Sequence, residues 1–415
     1  MTHTHAAVSV DDHLAHVRAL ITPALPFADT DTFTKTDTAD DTSCEVLPLA
    51  SALGRLTSHA VASPVDLPLF RNSQMDGFAV RAADLTQVPI TLPIVGESAA
   101  RPGSPEPLLA GTAVRIMTGA VVPDGTDSVV PVEDTTAGDG DTVNIHRARA
   151  VGEYVRDRGS DILAGTELLP AATLLAPRHL ASLAAAGLPT VSVRRRLRVA
   201  VITTGAELVA PGEPTVLGQV YDANNIALTT AITSCGAEVS VAMRVSDDVD
   251  QMRQALETAA DASDLILTSG GISQGDYEVV REVLGPLGAR IGHIAMQPGG
   301  PQTTAVFQGV PVVSFPGNPV STQISFAVFV APLLREYAGL PQVKSVARTL
   351  RGDIRSVVGK RQFLRGHTDG ENHVVLVAGP GSHLVAQLAA SDVLIDIPAD
   401  TEHVNEGSTV ETWQL

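Results

Sequence analysis

The stretch LRVAVITT, residues 197–204, decides the fold. Leu197–Thr203 reads as one continuous apolar strand, and a run without polar alternation marks a strand covered on both faces. Outward from it the pattern repeats. ANNIALTTAITSC (223–235) reads as a helix, AEVSVAMRV (237–245) as a strand and DVDQMRQALETAADA (248–262) as a helix. DLILTS (264–269) is then a strand and DYEVVREVLGPLG (276–288) a helix. RIGHIAM, TTAVF and PVVSF complete the strands, and one long helix runs through ISFAVFVAPLLREYAGL (324–340). Buried strands alternating with helices over 197–340 mean a doubly wound α/β domain with a largely parallel sheet, its crossovers placing helices on both faces.

The flanks read differently. Residues 63–149 and 341–415 are short apolar runs separated by Pro, Gly and Asp turns, so each is a small β domain, the second a barrel or a sandwich. Residues 8–22 form an amphipathic helix capped by Asp11 or Asp12, with Val8, Leu14, Val17 and Leu20–Ile21 on one face. His13 and His16 read as exposed polar positions, because no third metal ligand is near. Residues 27–43, rich in Thr and Asp, have too little apolar content to offset ordering entropy and read as a mobile loop. A net charge of −18 over 415 residues argues against nucleic-acid and anionic-membrane partners. Two cysteines make neither a disulfide framework nor a four-thiolate zinc site, no apolar run approaches the ~18 residues of a membrane span, and the N-terminus has no apolar signal core, so a cytoplasmic location is expected. Of 28 basic residues only Lys35, Lys344 and Lys360 are lysines.

Three turns of the α/β domain carry chemistry: VITTGAEL (201–208), LTSGGISQGDYE (267–278) and SFPGNPVS (314–321). Carboxyl ends of parallel strands open on one edge, where such folds bind ligands. Thr203, Thr204, Gly205, Ser269, Gly270, Gly271, Ser273, Gly317, Asn318 and Ser321 can converge there, with Pro316 beside them. Glycines admit a ligand close to the backbone, and free N–H groups favour an anion. Glu207 and Asp276 stand beside two of these turns, and carboxylates beside an anion imply a bridging hard cation, Mg²⁺; the alternative is that both merely sit in helix first turns. FRNSQMDGFAV (70–80) and VRIMTGAVVP (114–123) stand out before the α/β domain, although Met-Asp-Gly alone reads as a turn in which Asp76 satisfies its own backbone.

Taken in order, NSQMDGFAV, RIMTGAVVP, RGSDILAG, ITTGAEL, SGGISQGDYE, FPGNPVS, FLRG and PGSH resemble the molybdopterin molybdotransferase family, over nearly the whole chain. The resemblance implies a multidomain α/β plus β protein. Its parts are a molybdopterin-binding α/β domain (197–340), two smaller β domains (63–149 and 341–415) and an elongated connecting region from 1–62 and 150–196. It implies a homodimer whose active site lies between the α/β domain of one subunit and the first β domain of the other. It implies insertion of molybdenum from molybdate into adenylylated molybdopterin with release of AMP and assistance from Mg²⁺, and molybdopterin adenylyltransferase as a partner. By position, Asp76, Thr118, Asp161, Glu207 and Asp276 match the family's functional polar residues, with Asp76, Glu207 and Asp276 as metal ligands. Arg156, Arg365 and Ser382 match substrate-binding positions. One turn departs: Gln297-Pro298-Gly299-Gly300-Pro301 stands where the family carries a lysine pair. That loss of point charge leaves two expectations, that arginines such as Arg156, Arg158 or Arg365 compensate, or that the chain is a non-catalytic molybdopterin-binding scaffold.

Overall fold

The computed structural model describes residues 7–25, 43–272, 278–370 and 372–415. The chain divides into two compact units, 44–193 and the remainder, 1–43 with 194–415.

The second of these holds the α/β sheet. Its six strands lie in the order Glu238–Val245, Arg198–Thr204, Leu265–Ser269, Val310–Phe315, Pro301–Phe307, Arg290–His293. The first four are parallel, and the last two are added antiparallel at one edge. Along Arg198–Thr204 alternate side chains enter opposite cores. Val199 and Val201 pack with the helices Ala223–Ser234 and Pro319–Phe329, whereas Ala200 and Ile202 pack with Val249–Ala262 and Val279–Leu284. This is why the run shows no polar alternation; each buried Val or Ile contributes about 1.5–3 kcal/mol. At the start of the sheet Asp264 accepts hydrogen bonds from Arg195 (2.7 Å) and Arg198 (3.0 Å) and from the Arg198 backbone N–H. Burial alone would raise the Asp264 carboxyl, but the two guanidinium bonds outweigh it and hold it below the usual carboxylate range. A carboxyl lowered in the folded state stabilises above its unfolded value, and that stability is lost as pH falls through the folded one. Wild type should therefore lose more stability than Asp264→Asn between pH 5 and pH 3, as read by urea midpoints; parallel losses would contradict it.

Four sequence expectations need correction. The N-terminal helix is Val10–Ile21, and its buried face is Val10, His13, Val17 and Ile21. It packs on the α/β core with Phe329 and Ile294, so residues 7–25 do not join the connecting region. Ser9, rather than Asp11 or Asp12, is the N-cap, accepting from the Asp12 N–H at 3.0 Å. His13 is not exposed: it stands edge-on to the Phe329 ring, and burial lowers its pKa to about 4. Finally, the single long helix is two, Pro319–Phe329 and Ala331–Tyr337, because Pro332 opens the second and has no N–H to continue the first. The expected loop 27–43 lies outside the described residues except for Ser43, which is buried.

The C-terminal part is a closed five-stranded barrel. Arg361–Thr368 pairs with His373–Ala378, then Ser345–Arg351, Thr409–Gln414 and Val393–Ile397 follow, and the last pairs back to Arg361–Thr368. The short strand Met296–Gln297 of the α/β domain joins it in parallel, with Met296 opposite Arg361 and Gln297 opposite Gln362. No helix among the described residues is long and apolar enough to cross a membrane.

In the other unit a six-stranded mixed sheet runs Ser128–Pro131, Gly77–Val80, Ala113–Ile116, Ile90–Ser98, Thr142–Ile145, Thr135–Ala137. Segments on either side of it meet in two-stranded ribbons, Val61–Ala62 with Glu167–Leu169 and Asn72–Ser73 with Val155–Arg156. Ala52, Leu169, Leu175, Leu183 and Val193 make the small core of these flanking segments.

Candidate active site

The carboxyl ends of all four parallel strands open into a cleft of about 770 Å³. The strand order reverses between Arg198–Thr204 and Leu265–Ser269, and this is where open α/β sheets bind ligands. Thr204, Gly205, Glu207, Ser269, Gly270, Gly271, Pro316, Gly317, Asn318 and Ser321 line it. Thr203 does not: it is fully buried and donates to Asp222 at 2.5 Å. Ser273 and Asp276 lie outside the described residues.

Close packing explains the glycines. Gly270 has φ +97°, and a Cβ there would stand 2.4 Å from the Thr204 carbonyl oxygen. Gly317 lies against Gly270, where a Cβ would be 3.4 Å from the Gly270 Cα. Two strand ends thus meet backbone to backbone. The Ser269 hydroxyl meets Thr322 (3.1 Å), and Thr322 donates to the Pro316 carbonyl at 2.6 Å.

Asn224 and Asp247 are among the lining residues missed in the sequence. Asn224, in the first turn of the helix Ala223–Ser234, donates to the Ser269 hydroxyl and to the Gly317 carbonyl, both at 2.8 Å. It ties two of the glycine turns to one helix. Asn224→Ala removes both bonds, the one to the Ser269 hydroxyl being buried, and should cost about 1–3 kcal/mol, measurable as a lower urea midpoint; an unchanged midpoint would show that the bridge contributes nothing. Asp247 accepts from the Thr204 hydroxyl (3.3 Å) and the Ala206 N–H (3.0 Å). It follows the strand Glu238–Val245, so the strand-end rule, extended to the fourth parallel strand, would have found it.

Glu207 is not in a helix first turn. It precedes the short strand Leu208–Val209, and its carboxylate folds over Gly205, within 2.6–2.8 Å of where a Cβ would stand. No group of three His, Cys, Asp or Glu residues suited to a metal occurs among the described residues. The donor set fits Mg²⁺ only in its substrate-completed form, one or two carboxylates with phosphate oxygens filling the remainder. Glu207 and Asp247, on turns that flank Gly205–Ala206, are that set.

The barrel closes one end of the cleft. Lys360, Pro380, Ser382 and His383 line it, and the Val320 N–H donates to the Ser382 carbonyl at 3.2 Å. Arg365 differs from its expected place. Its side chain is fully buried and is not among the cleft-lining residues. It donates through Nη2 to the Gly379 carbonyl, while Nε and Nη1 have no hydrogen-bond partner among the described residues. Burial pushes its pKa down. In this conformation Arg365 holds the loop that carries Ser382. The departing turn also lines the cleft. Gln297 accepts from the Gln362 amide at 2.6 Å, and a Cβ on Gly300 would stand 2.6 Å from the His293 ring. Any side chain at 300 must displace that ring.

The remaining predicted residues lie in unit 44–193. Asp76 does not satisfy its own backbone: it accepts from the Thr118 N–H at 2.7 Å. That bond, with the Thr118 hydroxyl, holds its carboxyl below the usual range. Arg156 joins the same neighbourhood, because Val155–Arg156 pairs with Asn72–Ser73 and the Ser73 N–H donates to Ala120. Its guanidinium reaches the Asn72 side chain at 3.3 Å. Arg158 is engaged by Asp66 at 2.7 Å. Asp161 is exposed, and its backbone N–H donates to the Leu67 carbonyl at 2.9 Å.

Comparison with known proteins covers the same ground. Residues 8–187 match the model of the MoeA N-terminal region (domain I and II), 200–336 that of a probable molybdopterin binding domain, and 347–415 that of the MoeA C-terminal region (domain IV). The chain is 41% identical to molybdopterin molybdenumtransferase 2 of Mycobacterium tuberculosis, over 89% of this chain and 94% of that protein. It is 33% identical to the molybdopterin molybdenumtransferase of Haemophilus influenzae, over 89% and 93%. Among solved structures it resembles the molybdopterin biosynthesis MoeA protein of Pyrococcus horikosii, with TM-score 0.80, 30% identity and coverage of 98% and 99%.

Proposed function

The chain belongs to the MoeA family of molybdopterin molybdenumtransferases, and on that premise we propose that it inserts molybdenum from molybdate into adenylylated molybdopterin and releases AMP. The observation that carries this reading is the cleft at the strand-order reversal, where glycine turns expose backbone to an anionic ligand beside an uncommitted carboxylate, Glu207. Among the described residues the Glu207 carboxylate has no hydrogen-bond partner, while its backbone carbonyl accepts from the Val220 N–H at 2.9 Å.

In this proposal the turns at Gly205, Gly270–Gly271 and Gly317 seat the pterin phosphates; the Gly205 and Gly270 N–H groups donate to the Val245 and Phe315 carbonyls, so the phosphates would meet the remaining N–H groups of these turns. Glu207 and Asp247 would hold Mg²⁺, which supplies charge neutralisation at the phosphoanhydride. Thr204 and the Ala206 N–H fix the Asp247 carboxylate before substrate arrives, so little reorganisation is needed. The resemblance assigned metal binding to Asp76, Glu207 and Asp276; Glu207 lines the cleft, Asp76 lies in unit 44–193 and Asp276 lies outside the described residues. We place Asp76, Thr118, Arg156 and Asp161 in catalysis through a homodimer, as the cluster that one copy supplies to the cleft of the other. Molybdopterin adenylyltransferase would deliver the substrate, in the cytoplasm.

The test mixes purified protein with adenylylated molybdopterin, Mg²⁺ and molybdate and follows AMP. Molybdate-dependent release supports the reading; pterin binding without release would favour the non-catalytic scaffold. For the dimer, Asp76→Ala and Glu207→Ala proteins, each inactive alone, should regain activity when unfolded and refolded together. No recovery would refute a shared site.

A further inference from the structure

Resting on that function, the cleft poses an electrostatic problem. Its substrates are anions, yet its described lining carries the carboxylates Glu207, Asp222, Asp247 and Glu278 and a single lysine, Lys360. The departing turn has no cation, and Arg365 is buried behind the Gly379 loop. Lys360 makes no ion pair among the described residues and is half-buried.

The fold dictates where Lys360 stands. It immediately precedes the barrel strand Arg361–Thr368, which pairs in parallel with Met296–Gln297. The Arg361 N–H donates to the Ala295 carbonyl at 2.9 Å, and the next side chain along, Gln362, holds Gln297. This register carries Lys360 from the barrel to the end of the cleft where the 297–301 turn and Ser382 also lie. Arg361 itself is consumed by Asp396 and Asp11, at 2.6 and 3.0 Å. Lys360 is thus the ammonium left over at that end.

We propose that Lys360 supplies the positive charge that holds a tetrahedral oxyanion between the 297–301 turn and the Ser382 loop, the barrel providing the charge that the turn lacks. The ligand chemistry is shared by molybdate and by a phosphate of the pterin substrate. A point charge on a flexible stem suits either, with its effect screened by salt.

The experiment measures initial rates of AMP release by the full-length protein in two arms, molybdate varied at saturating adenylylated pterin and the reverse. Lys360→Met keeps the apolar stem and removes the charge. The concentration giving half-maximal rate should rise about tenfold in one arm, a difference of ~1.4 kcal/mol, and Lys360→Arg should recover most of it. The arm that moves identifies the oxyanion. Lys344→Met, at an exposed lysine outside the cleft, controls for net charge and should behave as wild type. Thermal unfolding of each variant separates misfolding from loss of charge. If wild type turns over and folded Lys360→Met matches it in both arms, the proposal is overturned. If wild type does not turn over, the function is refuted instead, and tungstate or molybdate titration by calorimetry still reads the contribution of Lys360.

Discussion

Glu207→Ala is expected to lower molybdate-dependent AMP release by roughly 10²–10³-fold, with the thermal unfolding midpoint unchanged. The side chain carries no structural hydrogen bond among the described residues and only covers Gly205, so its removal leaves the turn standing. Glu207→Gln sharpens the test. It preserves shape and polarity but not charge, so a role in holding Mg²⁺ predicts a loss close to that of alanine, relieved in part by raised Mg²⁺. Rates within threefold of wild type for both variants would remove Glu207 from the site. Asp76→Ala should reduce turnover comparably. Its carboxylate is held only by Thr118, through the N–H and the hydroxyl, in an exposed turn, so the fold should survive there too.

Gly270→Ala should have the largest combined effect on fold and function. At φ +97° a Cβ is strained whatever the space, and here it meets the Thr204 carbonyl oxygen at 2.4 Å, a backbone atom that cannot rotate away. Strain of this kind costs about 1–3 kcal/mol, and relief requires the ends of the two central strands to separate. That separation would spread the turns meant to seat the phosphates. The expected result is a lower urea midpoint together with turnover reduced at least tenfold. Gly212→Ala is the matched control: it also has positive φ, but nothing lies within 4 Å of its Cβ position. A loss of stability in Gly270→Ala no greater than in the control would show that the close approach is not what selects glycine.

The α/β sheet was legible because its signal is local. LRVAVITT must be apolar throughout if Val199 and Val201 face one core while Ala200 and Ile202 face the other, and that requirement is written into eight consecutive residues. The glycine turns were legible for the same reason, since each follows a recognisable strand end. Asp247 and Asn224 passed unnoticed because neither stands beside a glycine. Their significance depends on Thr204, Ala206, Ser269 and Gly317, which are up to 93 residues away. His13 misled because histidine at a helical position is ordinarily polar and exposed, and only the Phe329 ring packed against it makes the position apolar.

By itself, then, the chain's order of residues determined the buried parallel sheet, the edge at which a ligand binds, and the eight ordered motifs that resemble one family. Those follow from backbone periodicity and from steric demands satisfied within a few residues. Tertiary structure alone decided which charges face that edge. It turned Arg365 inward to the Gly379 carbonyl, committed Arg361 to Asp396 and Arg158 to Asp66, and laid the His293 ring over Gly300. It also brought Lys360 to the cleft through a two-residue parallel pairing between the barrel and the α/β domain. Whether a charge is free or spent depends on partners distant in sequence, because a salt bridge is fixed by where strands dock and not by the residues beside it in the chain.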